Sequence, residues 1–253
     1  FIVNSKNAKK TLHTTFGVSE NKIETIYNFF DINQIKERAK KPLSESHQDF
    51  FTEQTIVAVG RLVKLKGHHH LIKVFADVAV KAPLARLVIV GTGVEQNALI
   101  QLTERLGISK KVLFAGFQEN PFKYVAKAKI LAFSSDFEGF GNVIVEALAS
   151  GTPVISVDID NGPREILAPD SVLDFRTDVP ERCPFGWLMP QFREGDENKH
   201  IFQLWADTLI DLMNQPAPLV EKKVLESRAE DFDLDKISLK FSSLFEKITP
   251  SAV

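Results

Sequence analysis

The 253-residue sequence is poor in sulfur and in the larger aromatics: one cysteine (Cys183), two methionines, two tryptophans and two tyrosines. A lone thiol cannot close an internal disulfide, which excludes a disulfide scaffold and suits a reducing compartment. No apolar run approaches the ~20 residues that a membrane-spanning helix needs, and no stretch reads as a signal peptide. Neither sign of charge dominates: 31 Lys and Arg stand against 33 Asp and Glu, so no basic field points to nucleic acid. There is no internal repeat and no low-complexity tract. What is present is ordinary for a folded globular chain, with 44% hydrophobic and 25% charged residues, and the length suffices to bury a sizeable core.

From about residue 55 the pattern alternates between short β-branched runs and amphipathic stretches. The runs are Thr55–Val59, Arg86–Val90, Val112–Ala115, Ile130–Phe133 and Val154–Val157, and the helical stretches between them fall near 68–81, 94–106, 120–128 and 142–150. Uninterrupted apolar strands alternating with helices predict βαβ units on a buried parallel sheet. The last third predicts helices over 197–214, 217–229 and 234–248, after an irregular stretch 171–196 with one strand at Gly186–Met189. Near the N-terminus, Ser5–Phe16 reads as a helix with Ser5 as its N-cap, Lys22–Tyr27 as a strand, and the polar segment 36–53 as a linker.

The glycines gather at the predicted strand ends: Gly60, Gly91, Gly93, Gly116, Gly139, Gly141 and Gly162. Ligands of open parallel sheets bind outside the carboxyl ends of the strands, and glycine there admits close backbone approach; turn geometry alone is the plainer explanation for any single one. The charges mixed among them are specific in kind. Arg61 and Lys66 follow the first strand of the alternating series, a forked and a point cation suited to a diphosphate. Gly91 and Gly93 follow the second, without the third glycine of a dinucleotide fingerprint. Around the fourth, Glu138-Gly139-Phe140-Gly141-Asn142-Val143 leads into a helix whose first amides can receive an anion, and Glu146 sits on that helix. Two carboxylates so placed accept hydroxyl hydrogen bonds at separate ends of a ligand with a phosphate between two sugars. Asp158-Ile-Asp160 has a spacing that keeps a metal site open as a minor alternative. His68, His69 and His70 fan out by about 100° per residue at a helix start and cannot all face one ion.

Taken together, Gly60-Arg61-Leu62 with Lys66-Gly67, Val90-Gly91-Thr92-Gly93, Phe114-Ala115-Gly116-Phe117, the Glu138/Glu146 pair with seven residues between, and Gly151-Thr152-Pro153-Val154-Ile155 resemble the retaining glycosyltransferases of family 4 over about residues 55–168. Gly162-Pro163-Arg164-Glu165 further resembles members that build bacterial lipopolysaccharide, capsule or other glycan chains. The resemblance implies a GT-B fold, of which this chain carries one half: a Rossmann-like parallel sheet flanked by helices, with a helical C-terminal extension. Residues 1–27 are expected to be the tail of a missing N-terminal domain or a linker, 28–230 the nucleotide-sugar-binding domain, and 231–253 a C-terminal helix.

The implied activity is transfer of a sugar, with retention, from a nucleotide-diphosphate sugar, UDP-linked by expectation, to a glycan or lipid-linked acceptor hydroxyl. The implied roles are catalysis by Glu138, Arg61 and Lys66. Gly60, Arg61, Lys66, Gly91 and Gly93 fall to the donor diphosphate side, backbone from Gly116 and Phe117 to Asn120 to the base, and Glu138 to the sugar hydroxyls. Amides from Gly139, Phe140 and Gly141 to Asn142 and Val143 fall to the diphosphate or sugar, and Glu146 to the ribose. No metal and no other cofactor is expected. The acceptor is expected to reach the site through the missing domain, in a cytoplasmic enzyme for which contact with the inner face of the membrane is an option. Three other readings stay open: a donor-binding module without activity, a sugar-nucleotide epimerase of the same architecture, and an NAD-type oxidoreductase, the last disfavoured by the incomplete glycine fingerprint.

Overall fold

A computed structural model describes residues 1–193 and 197–248, the side chains at 197 and 248 excepted. The elements follow the chain as β1 (Ile2–Val3), α1 (Lys6–Thr14), β2 (Glu24–Thr25), α2 (Ile32–Ala39) and α3 (Glu45–Gln48). An alternating run comes next: β3 (Thr55–Val59), α4 (His68–Lys81), β4 (Arg86–Val90), α5 (Gln96–Arg105), β5 (Val112–Gly116), α6 (Phe122–Val125), β6 (Ile130–Phe133), α7 (Asn142–Ala149), β7 (Val154–Val157) and α8 (Pro163–Leu167). The chain closes with β8 (Glu181–Cys183), β9 (Gly186–Met189), α9 (Glu197–Asn214), α10 (Lys222–Ala229) and α11 (Leu234–Ile248).

Seven strands form one sheet in the order β5-β4-β3-β6-β7-β9-β8, all parallel except the edge strand β8, which runs antiparallel to β9. The strands are buried on both faces; every residue of β6, β7 and β9 is buried, which is why they read as unbroken apolar runs instead of alternating ones. Helices cover both sides. α4 packs on α9, where Trp205 is wholly buried and its indole N–H donates to the Pro190 carbonyl at 3.0 Å. Burying a side chain of that class stabilises the fold by roughly 1.5–3 kcal/mol.

Three local expectations change. The supposed linker over 36–53 begins inside α2: Asp31 caps that helix by accepting from Gln34 N at 2.8 Å, and Ile32, Ile35 and Ala39 form its buried stripe. The 217–229 helix is confined to 222–229 and the 120–128 helix to 122–125. Within 171–196 the structure adds β8, a strand too short and too polar (Glu181-Arg182-Cys183) to show a pattern; residues 194–196 lie outside the described residues, as do residues 249–253 of the expected C-terminal helix.

One carboxylate on α8 anchors the start of α1 to the rest of the chain. Glu165 on α8 accepts from Lys6 N, Asn7 N and the Tyr27 hydroxyl, satisfying amides at the start of α1 that have no partner inside the helix. Ser5 accepts from Ala8 N as the N-cap and donates to Asn161 Oδ1 at 3.0 Å. β1 and β2 pair with each other in parallel, apart from the seven-stranded sheet.

Candidate functional site

The order of the strands reverses at β3: β4 and β5 lie on one side of it and β6 and β7 on the other. The loops after β3 and β6 therefore leave in opposite directions, and the crevice between them is where doubly wound sheets take ligands. A cavity of about 290 Å³ occupies that place, lined by Lys66 from the first loop and by Glu138, Gly139, Phe140, Gly141, Asn142 and Val143 from the second, with Asn28 and Phe133.

The two loops are bonded to each other. Asp136 N donates to the Leu65 carbonyl at 2.9 Å and Ser134 Oγ to the Lys66 carbonyl at 3.0 Å. Gly67 passes so close to strand β6 that a Cβ there would meet the Ser134 carbonyl oxygen at 1.9 Å. This clamp holds Lys66 over the cavity, where Lys66 Nζ and Glu138 Oε1 stand 2.5 Å apart with 21% and 14% of the side chains exposed. A cation expected on the diphosphate and a carboxylate expected on the sugar thus form an ion pair. Helix α7 begins at the cavity wall after Gly141, which takes the left-handed conformation at φ 86°. The N–H groups of Asn142 and Val143 find no protein acceptor, leaving two donors and the positive dipole end free for an anion.

The other expected residues stand outside that cavity. Arg61 is exposed on the same loop as Lys66, and its guanidinium makes no hydrogen bond or ion pair. Gly116 ends β5, and Phe117 and Asn120 lie in the loop after it, which α2 holds in place: Asn120 Nδ2 donates to the Arg38 carbonyl at 2.9 Å and the Arg38 guanidinium to the Glu119 carbonyl. The Phe117 ring is 76% exposed there. Glu146 is on the second turn of α7, and its carboxylate has no hydrogen-bonding or charged partner; burial alone pushes it up to about 7, because the charged form is poorly solvated there.

The rim glycines divide into two kinds. A Cβ at Gly91 would meet the Gly60 carbonyl oxygen at 1.9 Å and one at Gly93 the Leu62 carbonyl oxygen at 2.3 Å, so these two serve the packing of the β4 loop over the β3 loop. Gly60 and Gly139 are different. Neither has positive φ, and a Cβ at either would meet nothing closer than 3.7 Å. Neither a close approach nor a left-handed backbone requires glycine at these two.

One residue outside the expected set lines the cavity, and another lies behind it. Asn28, in the segment after β2, lines the cavity and donates to Asn142 Oδ1 at 2.7 Å; 114 residues separate the pair, and no local pattern could have joined them. His68 lies beneath the Gly60–Arg61 turn, 4% exposed, with both ring nitrogens unpartnered. Burial first, then the Lys66 charge, lowers it to about 4, so it is a neutral imidazole behind the cationic loop. His70 stacks on Phe192 at 4.7 Å and is a packing residue. The Asp158/Asp160 pair is also explained structurally: Asp158 is wholly buried between the Arg164 guanidinium and Thr177 N, while Asp160 pairs with Arg176. Among the described residues no three potential metal ligands cluster.

These features define a class, an α/β domain whose cavity at the topological switch point is lined by a lysine–glutamate ion pair and by helix-start amides. Comparison with known proteins adds the family: the profile described as "Glycosyl transferases group 1" matches residues 40–175, and the chain belongs to that family. An uncharacterised glycosyltransferase of Methanocaldococcus jannaschii is 32% identical over 97% of this chain and 63% of its own length. The N-acetylgalactosamine-N,N'-diacetylbacillosaminyl-diphospho-undecaprenol 4-alpha-N-acetylgalactosaminyltransferase of Campylobacter jejuni is 34% identical over 93% of this chain and 56% of its own. The chain therefore spans about three-fifths of the curated relatives it matches. Among solved structures, S. aureus TarM in complex with UDP, fondaparinux and alpha-GlcNAc-glycerol superposes with a TM-score of 0.75 at 24% identity, over 96% of this chain and 43% of TarM. Anabaena HepE with UDP and glucose gives 0.73 at 22%, over 98% and 63%. At these identities the likeness is one of fold.

Proposed function

We propose that this chain is the donor-binding half of a retaining GT-B glycosyltransferase, and that its cavity takes the diphosphate and sugar of a UDP-sugar. The observation that carries the proposal is the meeting, at the switch point, of Lys66, Glu138 and the free amides of Asn142 and Val143. Transfer breaks the bond between the anomeric carbon and the phosphate oxygen. The electron pair stays on that oxygen, the acceptor hydroxyl oxygen bonds to the carbon, and the hydroxyl proton passes to the departing diphosphate. Charge thus grows on the leaving diphosphate; Lys66 and the α7 amides stabilise it there as positioned donors, and Arg61 reaches it from the exposed part of the same loop. Glu138, already engaged by Lys66, is better suited to accept hydrogen bonds from sugar hydroxyls than to attack carbon. Glu146, deeper on α7, takes the ribose hydroxyls, and the β5 loop from Gly116 to Asn120 takes the base. With these cations and amides on the diphosphate, the reading needs no metal.

The relatives and neighbours support a carbohydrate or lipid-linked acceptor, since their names include an undecaprenol-linked substrate and glycan ligands. No helix among the described residues is long and apolar enough to cross a membrane; contact of the whole enzyme with the cytoplasmic face of a bilayer is part of this proposal.

The test is calorimetric titration of the chain with UDP, UMP and NADH. UDP binds, UMP binds more weakly for want of the second phosphate, and NADH does not. Loss of one charge-assisted contact costs about 1.5–3 kcal/mol, so Lys66→Ala weakens UDP about tenfold to a hundredfold. Equal UDP affinity in that variant overturns the assignment.

A further inference from the structure

Residues 27 and 28 lie against the loop that leads into α7. The Tyr27 ring stacks on Phe140 with 5.3 Å between centroids, and Asn28 Nδ2 donates to Asn142 Oδ1 at 2.7 Å. Neighbours in one segment thus meet alternate residues of the other. Both contacts are held from behind. The Tyr27 hydroxyl donates to Glu165 Oε2 at 3.0 Å, and the Phe232 ring stands 5.6 Å from each of the two stacked rings. Asn4 Nδ2 approaches Asn28 Oδ1 at 3.5 Å, which leaves the Nδ2 of Asn28 as the end turned to Asn142.

Asn142 is the first residue of α7, with an exposed side chain. An asparagine oxygen near a helix start accepts readily from its own or neighbouring backbone N–H groups. Here Asn142 Oδ1 makes no such bond. It is occupied by Asn28, while the N–H groups of Asn142 and Val143 remain without a protein acceptor. The carboxamide that could close the anion site from within is tied outside it, by a residue from a distant part of the chain that itself lines the cavity.

We propose that Asn28 is a positioning residue for donor binding: by holding the Asn142 carboxamide away from the start of α7, it keeps two amides open to the diphosphate. The proposal rests on the donor reading above and adds the residue that keeps that site open.

Two measurements on the 253-residue chain test it. The first is amide hydrogen exchange by NMR without ligand. In Asn28→Ala the freed Asn142 oxygen turns onto the helix start, and exchange at Asn142 or Val143 slows about fivefold, the scale of one net hydrogen bond; in Asn28→Ala/Asn142→Ala it is fast again. The second is calorimetric titration with UDP. Asn28→Ala binds about fivefold more weakly than the native chain, again one hydrogen bond's worth of competition. Asn28→Leu, nearly the same shape and without a donor, does the same. Asn28→Ala/Asn142→Ala binds more tightly than Asn28→Ala, because the competing oxygen is gone; a merely structural role would add the second loss to the first. Native exchange at both amides in Asn28→Ala, native UDP affinity in Asn28→Leu, or a double variant no tighter than Asn28→Ala overturns the proposal. Failure of UDP to bind the native chain removes the donor reading alone, and exchange at the two amides then decides the role of Asn28.

Discussion

Replacing Glu146 by glutamine isolates a carboxylate that the fold leaves uncompensated. In the native chain burial moves it from 4.5 to about 7 with no cation nearby to offset the cost. In the unfolded chain it ionises near its ordinary value. Between those limits the folded state keeps a proton that the unfolded state has lost, so stability is fully present below about 4.5 and falls as pH rises toward and through about 7. A shift of that size, at 1.36 kcal/mol per pH unit, corresponds to a loss on the order of 3 kcal/mol once the group is charged. The buried histidines act in the opposite sense. His68 and His70 are lowered to about 4, so they add stability that is lost as pH falls from the ordinary histidine range through about 4. Both are common to the native and Glu146→Gln chains and cancel in the difference.

Urea denaturation of the two proteins at about pH 5 and about pH 8 reads that difference directly: Glu146→Gln gains roughly 2–3 kcal/mol relative to the native chain between the two conditions. Parallel stabilities at both pH values would refute the argument that Glu146 is desolvated and unpaired. The same linkage carries a binding consequence. Ribose hydroxyls hydrogen-bond to the ionised form, so UDP affinity of the native chain rises across about pH 6–8 more steeply than that of Glu146→Gln, which shares the titration of UDP itself.

Two further outcomes follow from the ion pairs. Glu138→Gln frees Lys66 and removes an anion from beside the diphosphate. At about 7 Å and an effective dielectric constant of about 40, like unit charges repel by about 1.2 kcal/mol, so UDP binds roughly sevenfold tighter by calorimetry at low salt, with the gain shrinking as salt is added; weaker UDP binding in this variant would contradict the pairing. Asp158→Ala leaves the buried Arg164 guanidinium and Thr177 N short of an acceptor, and urea midpoints register a loss of roughly 3–5 kcal/mol; a loss below about 1 kcal/mol would show that Glu181 suffices as the partner.

Much of this protein is determined by its sequence taken by itself. The apolar runs at 55–59, 86–90, 130–133, 154–157 and 186–189 coincide with strands because a strand buried on both faces needs no alternation, and Ser5 caps α1 because a short hydroxyl before a helix satisfies a free amide. Such rules act within a few residues. α2 was hidden by its polar face, and β8 by having three residues and one neighbour. The candidate site divides on the same line. Lys66, Glu138 and the start of α7 at Asn142 were legible as chemistry, but not as a cavity. Only the tertiary structure decided that β3 and β6 are neighbours with their loops diverging, that Lys66 faces Glu138 at 2.5 Å, that Asn28 reaches Asn142, and that Gly91 and Gly93 serve packing while Gly60 and Gly139 meet no neighbour closer than 3.7 Å. The physical reason is range: strand order and loop contact are set by burial of a whole sheet between two layers of helices, a condition on the entire chain that no local spacing encodes.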